Sequence, residues 1–133
     1  MSGLGWRQPF IERAWPEVRT GLASVGWATE LAYPIAIVDS VLEHGADRLL
    51  AVTTSMHDLI VTPSPVGEPP MDAVVVRAPG SLRRHPTGTV LIEHLSVHGT
   101  DTSIERPAAE ALPLFWRFIQ TEFGIGPTTR PSP

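Results

Sequence analysis

Three stretches decide the fold: Asp72-Ala73-Val74-Val75-Val76-Arg77, Thr89-Val90-Leu91-Ile92-Glu93-His94-Leu95-Ser96-Val97-His98, and Thr102-Ser103-Ile104-Glu105. β-branched and other apolar residues crowd the first two, and such side chains suit a pleated, buried backbone. They read as a strand over 73–77, a long strand over 89–98 and a returning arm over 102–105. The first two are joined by the polar connection Pro79-Gly80-Ser81-Leu82-Arg83-Arg84-His85-Pro86-Thr87-Gly88.

Working outward toward the N-terminus, Arg48 to Thr54 and Asp58 to Thr62 read as short strands around a hairpin-like gap at Thr54-Ser55-Met56-His57. Pro63, Pro65, Pro69 and Pro70 then make a stiff, extended loop, because a proline removes the N–H a ladder needs. The segment Trp27 to His44 supports two readings. Pro34 near its start, Gly45 past its end and Ile35, Val38, Val41 and Leu42 on one side fit a helix, while the same β-branched residues fit a buried strand. His44-Gly45-Ala46-Asp47 echoes His98-Gly99-Thr100-Asp101, and both lie between apolar runs. If the second is a hairpin turn the first is one too, so the balance leans to strand.

The two ends carry helical patterns. Phe10, Ile11, Ala14, Trp15, Val18, Leu22 and Val25 recur at three- and four-residue spacing, with Pro16 either a kink or a first helical residue and Gly26 as a stop. Leu112, Phe115, Trp116, Ile119 and Phe123 form a wide apolar face between Pro107 and Gly124, with Pro113 as an alternative start. Residues 1–8 and 126–133 are expected to be flexible. The layout is a single α+β domain over 1–133: a mainly antiparallel sheet of about five or six strands, flanked by an N-terminal and a C-terminal helix on one sheet face.

Composition narrows the function classes. The chain has 133 residues, 42% hydrophobic and 18% charged, enough to bury the core of one domain. A net charge of −4 denies it the electropositive field of a non-specific nucleic-acid binder and disfavours anionic membranes. The absence of cysteine removes disulfides, thiolate chemistry and Cys-based zinc sites. No 18-residue apolar run and no leader-like N-terminal segment is present, so a cytoplasmic protein is the default. All ten basic residues are arginine and asparagine is missing, which points to GC-rich coding, as in a high-GC bacterium.

Candidate chemistry is sparse. His94-x3-His98 would suit zinc on a helix. On a regular strand the two imidazoles are about 13 Å apart, at roughly 3.3 Å per residue. That span is too wide for one ion bound at about 2.1 Å, so no metal site is expected. Glu93 and His94 point to opposite faces. Ser55-Met56-His57-Asp58 gathers triad residue types in one turn, which is not how a nucleophilic triad is assembled. Nucleophile-elbow, dinucleotide, phosphate-loop, zinc-protease and calcium-loop patterns are all missing. Arg83-Arg84-His85 is the one dense basic cluster, suited to an acidic partner or an anionic ligand.

The expectation is therefore a non-catalytic protein-binding or regulatory domain, engaging another protein as a bacterial immunity protein or a secretion chaperone does. It is expected to need no cofactor and not to be an enzyme, and its exposed edge strand leaves room for a homodimer. The alternative is a small-molecule-binding protein or enzyme in which His94, Ser96 and His98 line a site on the sheet. The arginine loop, Arg83 and Arg84 with His85, would close over an anionic ligand.

Overall fold

The computed structural model describes residues 5–25 and 31–127. Its order is α1 (Trp15–Ala23), α2 (Ala32–Glu43), a 3-10 turn (Ala46–Arg48), β1 (Leu50–Ser55), β2 (Asp58–Pro63), β3 (Ala73–Arg77), β4 (Thr89–Leu95), β5 (Thr102–Pro107), a second 3-10 turn (Ala108–Glu110) and α3 (Ala111–Phe123). The strands pair antiparallel in chain order, β1-β2-β3-β4-β5, so the sheet is a five-stranded meander. The α+β layer structure expected from the sequence is the observed one.

Alternation along the strands sorts the two faces. Val52, Leu59, Val61, Val74, Val76, Val90 and Ile92 point to the face that carries all three helices, where they meet Trp15, Ile37, Val41, Phe115 and Ile119 in the main core. Burying a side chain the size of Phe115 there contributes about 1.5–3 kcal/mol. Two indoles tie helices in place: Trp15 Nε1–H donates to the Leu50 carbonyl at 2.8 Å, and Trp116 Nε1–H to Ser40 Oγ at 2.9 Å. Ile60, Ala73 and Val75 point the other way and meet Trp6, Phe10 and Leu95 in a smaller cluster.

The segment 34–44 is helical through Glu43, against the lean to strand. Tyr33, Pro34, Ile37, Val38, Ser40 and Val41 of α2 are all buried. The helix packs against α1 and α3 as well as the sheet side of the core, so it is apolar around much of its girth. A buried helix and a buried strand draw on the same residues. The end signals were the reliable ones: Pro34 sits in the first turn, and Gly45 follows the helix at φ 67°, left-handed backbone that glycine adopts without a Cβ clash. The echo of Gly45 in Gly99 does not extend to structure, since the first marks a helix end and the second lies in the β4–β5 connection.

The N-terminal pattern also divides. α1 begins at Trp15 with Pro16 in its first turn, and Phe10, Ile11 and Ala14 precede it. Residues 5–13 instead strap the face away from the helices. Trp6 exchanges two backbone hydrogen bonds with Met71, at 2.7 and 3.0 Å, and Arg13 N–H donates to the Val52 carbonyl at 2.8 Å. Gly26 and Trp27 lie outside the described residues, as do 128–133. α3 starts at Ala111, two residues before Pro113, which its first turn accommodates. No helix among the described residues is long and apolar enough to cross a membrane.

Candidate functional site

The connection between β3 and β4, residues 78–88, holds the chemistry singled out in the sequence, and its conformation is fixed from below. Arg77 ends β3 between two acids: its Nη1 lies 3.0 Å from Asp58 Oδ2 and its Nε 2.6 Å from Glu93 Oε1. Burial works against the guanidinium charge, but the hydrogen bonds and charges of Glu93 and Asp58 outweigh it, so the pKa is raised from the ordinary arginine value. The ion triad lies on the sheet face opposite the helices, where Glu93 alternates with the core-facing Ile92 and His94.

Asp58 does more than pair with Arg77. Its Oδ1 accepts the Ala78 N–H at 2.7 Å and its Oδ2 accepts the Ser81 hydroxyl at 2.7 Å. Ser81 Oγ in turn accepts the Arg83 N–H at 3.2 Å. A carboxylate with several donors can satisfy a loop whose own backbone bonds are few. His85 closes the other end. Its Nε2 donates to the Ala78 carbonyl at 3.1 Å, its Nδ1 lies 3.0 Å from Thr89 Oγ1, and the Thr89 hydroxyl donates to the Pro86 carbonyl at 2.6 Å. Both backbone groups of Ala78 are thus engaged, one by Asp58 and the other by His85.

One side of this connection lines a pocket of about 680 Å3. α2 contributes Ala32, Tyr33 and Ala36, and the start of α3 with its preceding turn contributes Ala108, Ala109, Ala111 and Leu112. The loop supplies Pro79, Gly80 and His85 to Gly88, and β4 its first residue, Thr89. Tyr33 anchors α2 to the loop root by donating its hydroxyl to the Arg77 carbonyl at 2.6 Å. Burial first, and the nearby Asp58 charge second, push the Tyr33 phenol well above its ordinary value of 10.0. The two titratable side chains lining the pocket, Tyr33 and His85, are therefore both committed to bonds that hold its wall.

The opposite side of the connection faces solvent. Leu82 is 86% exposed, the largest exposure among the exposed large apolar side chains. Arg83 reaches Glu93 Oε2 only at 3.7 Å with its side chain 57% exposed, and Arg84 is exposed with no ion pair or hydrogen bond to a described residue. The cluster Arg83-Arg84-His85 is thus split. Two arginines point outward with Leu82, and the histidine points inward as a strut.

The strand histidines are placed differently from the sequence reading. β4 ends at Leu95, and residues 97–99 bend, so Ser96 and His98 do not continue the regular face that begins with Val90. His94 faces the helices: its Nδ1 lies 2.8 Å from Glu122 Oε2 and its ring stands edge-on to Phe123. Its Nε2 is buried without a hydrogen-bond partner among the described residues. Ser96 builds the β4–β5 turn, its N–H donating to Asp101 Oδ1 and its Oγ accepting the Gly99 N–H, both at 2.8 Å. His98 is exposed. None of these three residues lines the pocket. Among the described residues no group of three or more His, Asp or Glu side chains is gathered as metal ligands would be.

Sequence reasoning weighed Asp58 and Glu93 only as catalytic groups and did not join them to Arg77. One signal was present: an acid at the centre of Leu91-Ile92-Glu93-His94-Leu95 needs a buried partner, and Arg77, at the end of a neighbouring strand, is a cation able to serve. Comparison with family models, curated proteins and solved structures finds no match.

Proposed function

We propose that this chain is a non-catalytic binding domain whose β3–β4 connection meets another protein. The observation that supports it most is the outward presentation of Leu82, Arg83 and Arg84 on a loop already fixed by Asp58 and His85. A loop ordered before contact loses little conformational freedom on binding, so its contacts count more fully toward affinity. An apolar side chain flanked by cations, on a chain of net charge −4, complements an acidic surface with an apolar recess. The ionisable groups beneath the loop favour binding over catalysis, because Asp58, Arg77, Glu93, Tyr33 and His85 each hold structure together.

The test uses the full chain as bait in affinity capture. A stoichiometric protein partner is expected, and Leu82→Ala should weaken it by about 10- to 150-fold, the equivalent of roughly 1.5–3 kcal/mol of apolar burial. Arg84→Ala should lower the association rate and its salt dependence, with the melting temperature unchanged in both variants. A partner bound equally well by both variants would remove the loop from the interface.

A further inference from the structure

We propose that the pocket between α2, the β3–β4 connection and the start of α3 is a preformed site for a small, uncharged, largely apolar molecule. This goes beyond the reading of Leu82 and the arginines as a protein contact, since the pocket lies on the other side of the connection.

Size comes first. A volume of about 680 Å3 is far larger than any one side chain. It falls within the ~300–1,000 Å3 typical of pockets that hold drug-sized molecules. The space exists because the facing positions are small. Ala32 and Ala36 lie one turn apart on α2, Ala109 and Ala111 face them from the α3 side, and none of these side chains extends beyond Cβ.

The chemistry of the lining sets the ligand class. Among the described residues, the lining holds no Asp, Glu, Lys or Arg. Its Tyr33 hydroxyl, His85 ring and Thr89 hydroxyl are already engaged with the Arg77 carbonyl, the Ala78 carbonyl and the Pro86 carbonyl respectively, which leaves the Thr87 hydroxyl as the one polar side-chain group of the lining with no hydrogen bond to a described residue. A charged ligand entering there would lose hydration without gaining a counter-charge. An apolar body loses nothing of the kind and gains contact with alanine, proline and leucine carbon.

The third element is rigidity. An apolar concavity stays open only if its walls are prevented from collapsing onto it, and here two of the walls, α2 and the connection, are anchored to the end of β3 and to Asp58. Tyr33 fixes α2 to the end of β3, His85 Nε2–H holds the Ala78 carbonyl, and the Asp58 carboxylate grips Ala78 and Ser81 from the far face. Ligand binding therefore needs little rearrangement of the loop.

The experiment is a fluorescence titration of the full chain with N-phenyl-1-naphthylamine, an uncharged aromatic probe, beside its anionic relative 1-anilinonaphthalene-8-sulfonate. Saturable enhancement with the neutral probe, at one probe per chain, is expected, with weaker binding of the sulfonate. Ala36→Phe and Ala109→Phe each add a ring to an exposed lining position and should weaken the neutral probe by about tenfold or more. Ala23→Phe, exposed on α1 and outside the lining, should leave it unchanged. Circular dichroism and melting temperature confirm that each variant is folded, and the two filling variants act from different walls, so failure of one leaves the other. Non-saturating enhancement, a preference for the sulfonate, or equal binding by both folded filling variants would overturn the proposal. So would a dimer in sedimentation velocity that Ala109→Phe dissociates, because a second copy would then be the occupant. Loss of partner capture in the Leu82 and Arg84 variants is read separately and bears only on the protein contact.

Discussion

Tyr33 is the only tyrosine in the chain, so the ultraviolet signature of phenolate formation reports on it alone. Its hydroxyl is buried against the Arg77 carbonyl, and its pKa is raised from 10.0, by burial first and by Asp58 second. The linkage has a definite sign. The folded value lies above the unfolded one, so the stabilisation is fully present below pH 10 and is lost as pH rises beyond it through the folded value. Absorbance near the phenolate band is expected to show no midpoint near pH 10 in the folded chain, and to rise only with alkaline unfolding. A reversible midpoint near 10 with unchanged circular dichroism would place the hydroxyl in solvent. The residue was visible in the sequence as a tyrosine beside Pro34, but its partner is a backbone carbonyl contributed by Arg77, and no side-chain pattern encodes such a contact.

Elements were legible in proportion to how one-sided their surroundings are. α3 has a wide apolar face against the sheet and a polar one outside, so helical spacing located it within a few residues. β1 to β4 are buried along most of their length, and their β-branched runs show it. α2 is buried on several sides, which erases the periodicity that separates helix from strand, and only its terminal Pro34 and Gly45 carried the answer. The strap over residues 5–13 left a different trace. Phe10 fell on the helical spacing of α1 by coincidence, whereas its burial is against Ile60, Ala73 and Val75 on the far face. Gly5 shows how closely the strap approaches: at φ 69°, an added Cβ would lie 2.6 Å from Val97 Cγ2 and 2.7 Å from the Met71 carbonyl oxygen. Gly5→Ala is therefore expected to destabilise the fold by about 1–3 kcal/mol, read as a lower urea midpoint at unchanged slope. An unchanged midpoint would show that the strap contributes nothing to global stability.

At the scale of the whole molecule, a meander of five strands divides two kinds of cover. Helices seal one face, and the strap with the Arg77–Asp58–Glu93 ion triad seals the other. The β3–β4 connection emerges where these two covers end, which is why it can be rooted in the sheet and still present both a pocket wall and an exposed tip. The sequence marked this connection through Arg83, Arg84 and His85 but not through the acid that fixes it, because Asp58 is distant in the chain and reads as one polar residue after a turn. The outer edge of β5 has no strand neighbour among the described residues, and Glu105, Arg106 and Pro107 on it are residue types that discourage unplanned pairing.

Native-state hydrogen exchange at the Ala78 amide tests the rooted connection most directly. That N–H lies outside every strand and donates to Asp58 Oδ1, so protection close to that of the β3 amides is expected, falling toward the unprotected rate in Asp58→Ala. Fast exchange of Ala78 in the unaltered chain, while β3 stays protected, would mean that the connection is loose, contradicting both the fixed recognition loop and the preformed pocket.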